Sequence, residues 1–277
     1  MVRDVLNCSA ADLYILRHFD AFIKQSSPSL KVLRIYAKER RTNTVKPSVQ
    51  KYCLMSDDRS SFKEPTRIDV LDHKVVITTL VTSLTLTRKH LNLRGCFTHI
   101  FIDEAAQVFE CETIMPLSLA TDSTTIVLAG DYNQMAQKVY SKEAQRQRFH
   151  RSLVHRLFEH YKTYAHVADA SLPNVLLKNN YRTKMEILRF LAAVFYGGPD
   201  RLVACSSQLP VDDIVPLSFY TAFGREIQDH DSTSYYNLAE IEELVERVSE
   251  LYNNWPKDWN EPASESILVV TPYLDQV

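Results

Sequence analysis

A chain of 277 residues with 45% hydrophobic and 24% charged side chains can bury a sizeable core in one large or two medium domains, which excludes a disordered or fibrous class. Its net charge of −2 excludes a global field that steers it onto nucleic acid. Five scattered cysteines, Cys8, Cys53, Cys96, Cys111 and Cys205, form no CxxC pair and no zinc-ligand spacing, so a disulfide scaffold and a zinc module are excluded and a reducing compartment is expected.

The N-terminus has no signal-peptide core, and no apolar run approaches the ~20 residues that span a bilayer. A soluble protein without membrane contact is expected, in the cytoplasm and with the nucleus also open to it. Charge is uneven along the chain. Lys31 to Arg67 carries ten Lys/Arg against four Asp/Glu, a net of +6, whereas Glu226 to Glu261 carries two against ten, a net of −8. Such runs are ordinarily solvated faces, and the basic one permits phosphate contact. Glycine occurs only at Gly95, Gly130, Gly197, Gly198 and Gly224, which excludes a GxxxxGK[ST] phosphate loop within the sequence.

In chain order, Ser9 to Lys24 (SAADLYILRHFDAFIK) spaces its apolar residues as a helix behind a capping Ser. Leu30–Ala37 (LKVLRIYA) reads as a strand. The polar, basic stretch from Lys38 to Pro65 has weak periodicity and reads as an inserted subdomain or long excursion. Lys74–Thr79 (KVVITT), Phe97–Asp103 (FTHIFID) and Thr124–Asp131 (TTIVLAGD) read as three further strands, with a crossover helix over Cys111–Ala120 between the last two. Near-continuous apolar strands alternating with helices imply a parallel sheet covered on both faces. Ligands of such sheets gather at the carboxyl ends of the strands, where Asp103 and Asp131 fall.

A second unit begins near Leu172. It holds a short strand (NVLLKN), a helix (TKMEILRFLAAVFY) stopped by Gly197-Gly198-Pro199, a strand over Pro216–Ala222, a long helix over Asn237–Trp255 and a strand in SILVVTPY, Ser266–Tyr273.

Adjacent acids at a buried strand end repel each other and cost desolvation, so FIDEAAQ (Phe101–Gln107) calls for an arriving cation. An Asp there suits Mg²⁺, a hard ion that keeps much of its hydration, and a neighbouring Glu can orient a water. One crossover further on, AGDYNQ (Ala129–Gln134) brings Gln134 toward the same edge. Its amide can both donate to a phosphate and accept from a water, although Gly-Asp is also ordinary turn chemistry. NNYR (Asn179–Arg182) adds an arginine from the second unit, of the kind that stabilises charge developing on a transferred phosphoryl group. Each piece alone is a weak signal.

Taken in order, DEAAQ, AGDxxQ, NYR and VVTPYxxQ resemble the superfamily 1 helicases of the nonsense-decay branch, and within them the helicase-with-zinc-finger proteins. SAADLYI resembles that family's motif Ia, and VVITTLVTS its motif Ib. The resemblance covers nearly the whole chain. It implies an α/β fold of two RecA-like P-loop NTPase domains, both incomplete. Domain 1 would span residues 1–165, with 38–65 as the basic insertion, and the first part of domain 2 would span 172–277. It further implies ATP and Mg²⁺ as cofactors and coupling of ATP hydrolysis to movement along single-stranded nucleic acid, with RNA the favoured polymer. Protein partners in RNA silencing or decay are implied as well. By the same resemblance, Asp103 holds Mg²⁺, Glu104 handles the water, Gln107 and Gln134 report the γ-phosphate, and Arg182 is the arginine finger. Ser9, Thr79, Thr82, Thr271, Pro272 and Tyr273 line the nucleic-acid track, where backbone contact and aromatic stacking supply the binding.

The sequence also departs from that pattern. The phosphate-cradling loop is absent, motif Ia opens with Asn7-Cys8 where the family has Ser-Asn, and Met135-Ala136-Gln137 replaces a Leu-x-Pro turn. The expectation is an internal piece of a larger helicase that hydrolyses ATP negligibly by itself. The alternative is a non-catalytic RNA- or protein-binding scaffold with a helicase fold, for which the acidic helix and Trp255 and Trp259 would be the contact.

Overall fold

An apolar strand reaches low free energy only when neighbours satisfy its backbone and layers cover both of its faces. In the computed structural model five strands meet that condition to different degrees: β1 (Asp4–Asn7), β2 (Val32–Arg34), β3 (Val75–Thr78), β4 (His99–Ile102) and β5 (Thr125–Leu128). They form one sheet in the order β2-β3-β1-β4-β5, and every adjacent pair is parallel. The structure describes residues 4–7, 30–134, 137–164, 175–205, 216–228, 230, 232–257, 259, 261–262, 266–273 and 276. Two compact units divide the chain, residues 1–175 and 176–277. The helix expected over Ser9–Lys24 lies outside the described residues.

Period-two alternation sorts the strand side chains between two cores. Leu33, Ile35, Val76, Ile100 and Ile102 point to one face, where Val70, Leu80, Leu86, Phe97 and Leu119 cover them. Val32, Tyr36, Val75 and Ile77 point to the other, covered by Val45, Val49 and Phe62. These last three come from the basic stretch Lys38–Pro65. It is therefore an excursion that folds back as a lid on the β2–β3 side of the sheet, through a 3-10 turn (Thr42–Thr44) and α1 (Pro47–Gln50). Its weak periodicity has a physical reason: a short irregular layer needs only a few apolar anchors, not a repeating face. Burial there pushes the Cys53 thiol up to about 12, which keeps it protonated.

The opposite edge is different. At β5 the expected two-sided cover is missing: Ile126 is 43% and Val127 37% exposed. The strand is last in the order and has a neighbour on one side only, β4, so its apolar composition exceeds what this edge buries.

Helices fill the crossovers. α2 (Arg67–Asp72) begins with a capping box: Thr66 Oγ1 accepts the Asp69 N–H at 3.2 Å, and Asp69 Oδ2 accepts the Thr66 N–H at 2.8 Å. α3 (Leu80–Ser83) follows β3, and α4 (Glu110–Leu117) occupies the crossover from β4 to β5. Beyond β5 come α5 (Lys142–Arg146) and α6 (Leu153–Tyr164). Arg156 of α6 forms a two-pronged pair with Glu110 of α4, Nε to Oε2 at 2.8 Å and Nη2 to Oε1 at 2.6 Å. His155 lies 3.3 Å from Glu159, in keeping with a structural role.

Among the described residues, the second unit has both of the expected helices but not the expected strands. α7 (Met185–Phe195) ends at Gly197, whose φ of +79° suits glycine, and the Gly198 N–H returns to the Ala192 carbonyl at 3.2 Å. α8 (Leu238–Asn253) is capped by Asn237, which accepts the Ala239 N–H at 3.1 Å. Among the described residues, however, parallel pairing in this unit is limited to one two-stranded sheet. β6 (Asn179–Asn180) pairs in parallel with β7 (Val203–Ala204), and β8 (Ile227–Gln228) pairs antiparallel with β9 (Tyr235–Tyr236). Residues 216–222 and 266–273, expected as strands, are irregular. Their apolar side chains lie in the open, Phe219 at 92% and Leu268 at 86% exposure. A strand needs a partner for its backbone, and apolar composition alone does not provide one.

Candidate functional site

Parallel pairing sends all five carboxyl ends to one edge of the sheet, so Thr79 after β3, Asp103 after β4 and Asp131 after β5 stand in a row. After β4 the chain makes a tight turn in place of a helix. Glu104 takes φ +52°, the left-handed region that a non-glycine residue enters only when its surroundings hold it there. The turn closes on itself: Asp103 Oδ1 accepts the Glu104 N–H at 3.0 Å, and the Glu104 carbonyl accepts the Gln107 N–H at 2.9 Å. Gln107 Nε2 donates to the Glu104 carboxylate at 2.9 Å. Asp103, Glu104 and Gln107 are all half-buried.

The two strand-end turns interlock. The Ala105 N–H donates to the Ala129 carbonyl at 2.7 Å, and the Ala129 N–H to the Ile102 carbonyl at 2.9 Å. A Cβ added to Gly130 would lie 2.6 Å from the Ala106 nitrogen and 3.0 Å from the Ala106 Cβ. Only glycine admits that approach, and only small residues at 105 and 106 let the acid-bearing turn lie so close. Gln137 Nε2 donates to the Gln107 carbonyl, tying the segment that replaces Leu-x-Pro back onto the same turn. Met135 and Ala136 are outside the described residues.

Asp131 is the anchor of the second turn, with Oδ1 accepting the Asn133 N–H at 3.0 Å and Oδ2 accepting from Gln134 Nε2 at 2.8 Å. Gln134 is exposed, and its amide closes back onto Asp131 within the turn. Tyr132 holds the turn on α6, with its ring stacked 5.3 Å from His155 and tilted 4.6 Å from Phe158. Sequence reasoning singled out Gln134 and passed over Gly130, Tyr132 and Gln137. The signal for Gly130 was its own scarcity: one of five glycines, placed at a strand end.

Thr79 and Thr82 are committed locally. Thr79 caps α3: its Oγ1 accepts the Thr82 N–H at 3.3 Å and donates to the Thr82 hydroxyl at 2.9 Å, and Thr82 is buried. The crevice beside them, lined by Thr79, Leu80, Ser83, Phe101 and Pro116, is too tight to admit water and is packing, not a ligand site. Ser9 lies outside the described residues.

In the second unit, Arg182 is exposed and follows an Asx turn: Asn180 Oδ1 accepts the Arg182 N–H at 3.0 Å and the Thr183 N–H at 2.7 Å. Thr271 Oγ1 accepts the Tyr273 N–H at 3.2 Å across Pro272, and Tyr273 meets Tyr235 edge-on at 6.0 Å. The expected strand end at Thr271–Tyr273 is instead a turn with Tyr273 partly exposed. Gln276 docks it on α8, with Oε1 accepting the Asn237 N–H at 2.7 Å and Nε2 donating to Glu240 at 3.1 Å.

What could be held here follows from the donors. Among the described residues no group of three His, Cys, Asp or Glu side chains forms a metal cage. The strand-end row offers hard carboxylate oxygens. Glu104 is met by a neutral amide, with no lysine or arginine pairing with it among the described residues. That donor set fits an ion that keeps most of its water and takes its remaining ligands from a phosphate, as Mg²⁺ does.

Comparisons with known proteins agree with this layout. Two family models described as AAA domains match residues 37–142 and 149–277. The chain is 46% identical over 270 residues to "Probable helicase with zinc finger domain" of Danio rerio, covering 97% of this chain and 14% of that protein, and equally to the Homo sapiens protein of that name, covering 13% of it. It is 35% identical over 265 residues to "3'-5' exoribonuclease HELZ2" of Mus musculus, covering 95% of this chain and 9% of that one. The chain thus spans about a seventh or less of these relatives' length. With those matches running through both strand-end turns and on past the TPY turn, the chain belongs to the superfamily 1 helicases of the nonsense-decay type.

Proposed function

We propose that this chain is part of the core of an ATP-dependent helicase acting on single-stranded RNA, built from two RecA-like lobes. The observation that carries the reading is the interlock of the Asp103–Gln107 turn with the Ala129–Gln134 turn at the carboxyl edge of a parallel sheet. Asp103 is the residue to hold Mg²⁺, which supplies charge neutralisation at the phosphates when bound. Glu104, held by the Gln107 amide, orients and deprotonates the attacking water. Gln134 and Gln107 sit on two turns that share hydrogen bonds, so a change at one displaces the other; this supports a role in coupling nucleotide state to movement. Arg182, exposed and with its backbone fixed by an Asx turn, supplies charge to the transferred phosphoryl group. Thr79, Thr82, Thr271, Pro272, Tyr273 and Ser9 are the strand-contacting set. Tyr273 offers a partly exposed ring for stacking, while Thr79 and Thr82 act by shaping the end of β3 through their cap.

The test is phosphate release with and without single-stranded RNA, using the protein that contains these residues and its Glu104→Gln variant. Loss of at least about 100-fold in RNA-stimulated turnover, with nucleotide binding retained, is expected. A variant that turns over as fast as the parent overturns the assignment of Glu104, and a parent that RNA does not stimulate overturns the reading as a whole.

A further inference from the structure

The strand-end chemistry leaves one cluster of charge unused. Lys38, Arg40, Arg41 and Lys46 are exposed, with Glu39 the one acid within that stretch. Among the described residues no carboxylate pairs with any of the four. This sets them apart from neighbours such as Lys63, held by Asp57 at 3.0 Å, and Lys31, held by Asp72 at 2.6 Å. Arg40 is nevertheless positioned. Its guanidinium lies 4.5 Å from the centroid of the Tyr36 ring, which also takes Arg34 at 4.4 Å and is buried against Phe62 at 5.0 Å. A guanidinium held on an aromatic ring keeps its net charge and its N–H donors, whereas one held by a carboxylate spends both.

The place of the cluster matters as much as its charge. β2 pairs in parallel with β3, Arg34 opposite Ile77, and the Ile35 N–H donates to the Ile77 carbonyl at 2.9 Å. The chain leaves β2 through Tyr36 and Ala37 into Lys38 on the edge where it leaves β3 into Thr79. The cations therefore continue the row Asp131, Asp103, Thr79 outward at its β2 end. The 3-10 turn Thr42–Thr44 and α1 fix the segment, since Gln50 Nε2 donates to the Thr42 and Val45 carbonyls, each at 2.9 Å.

We propose that Lys38, Arg40 and Arg41, with Lys46 beside them, form a phosphate-binding surface that carries single-stranded nucleic acid beyond the strand-end row. The proposal rests on the helicase reading above. Uncompensated cations at the edge that bears the strand-contacting residues favour a nucleic-acid backbone over an acidic protein segment.

The experiment is fluorescence anisotropy of a labelled oligouridylate of about 20 nucleotides, titrated with the chain over a series of salt concentrations. For single strands, the slope of log K against log salt falls by about 0.7 for each phosphate contact removed. Changing Lys38, Arg40 and Arg41 together to Ala is expected to flatten the slope by about 2 and to weaken binding at low salt by tenfold or more, with the far-ultraviolet circular dichroism unchanged. Arg41→Glu alone, at an exposed position, is expected to weaken binding in the same direction, and Lys63→Ala to leave the slope as it was. If wild type binds and the triple variant keeps its affinity and slope, the surface is refuted while the helicase reading stands. If the triple variant binds RNA normally but loses polyglutamate, the surface serves a protein and the proposal is overturned. Failure of wild type to bind the oligonucleotide overturns both.

Discussion

Replacing Gly130 by Ala tests the interlock on which the site depends. The added Cβ would fall 2.6 Å from the Ala106 nitrogen, 3.0 Å from the Ala106 Cβ and 3.1 Å from the Ala105 nitrogen. Two of those atoms are backbone in a buried turn that is itself bonded to β5 through Ala105 and Ala129, so no flexible side chain can give way. Overpacking of this kind costs about 1–3 kcal/mol, and stretching the buried hydrogen bond adds about 1 kcal/mol. Against that, alanine narrows the unfolded ensemble and recovers about 0.4–1 kcal/mol. The net destabilisation is about 1–3.5 kcal/mol, which lowers the Tm of a unit this size by roughly 2–14 °C. Thermal unfolding by circular dichroism measures the global effect. Amide exchange of a peptide covering residues 103–107 measures the local one and should quicken. Adding Ala106→Gly relieves only the 3.0 Å contact and should recover little. A Gly130→Ala protein with the parent's Tm and unchanged exchange would refute the close approach.

Other consequences follow from single contacts. Tyr132→Ala removes the ring packed on His155 and Phe158; a loss of about 1–2 kcal/mol in urea unfolding is expected, with faster exchange at residues 129–134. Thr66→Ala breaks the capping box of α2 and should cost about 1 kcal/mol, while Thr66→Ser should cost little. The Arg156 guanidinium holds the Glu110 carboxyl below the usual carboxylate range. A depressed pKa contributes stability that is complete above about 4.3 and is lost as pH falls through the lower folded value. Arg156→Leu should therefore lower stability at pH 7 and shrink its fall between neutral pH and pH 3. The difference should be no more than about 1 kcal/mol, because the pair is partly solvated; equal acid slopes in parent and variant would count against the pairing.

The contrast between what could be read in advance and what could not follows the range of the interactions involved. The runs VLR, VVIT, HIFI and TIVL carry their strand character in their own side chains, and the order of strands and crossovers places Asp103 and Asp131 at one edge whatever the details of packing. The Gly197-Gly198-Pro199 stop is equally local. That is why four of the five strands and the row of strand-end groups were legible in the sequence, whereas β1 (Asp4–Asn7), which sits between β3 and β4, was not read as a strand.

Sequence by itself thus determined which segments are apolar, where they are punctuated and which acids follow them. Only the tertiary structure decided that Gly130 must lie against Ala106, that the Thr79 and Thr82 hydroxyls are spent on a cap, and that Lys38–Pro65 is a lid over Val75 and Ile77. It also decided that residues 216–222 and 266–273 are irregular despite their composition. The reason is the same in each case: period and capping are written within a few neighbouring residues, whereas close approach, cover and strand pairing depend on groups far away in the chain.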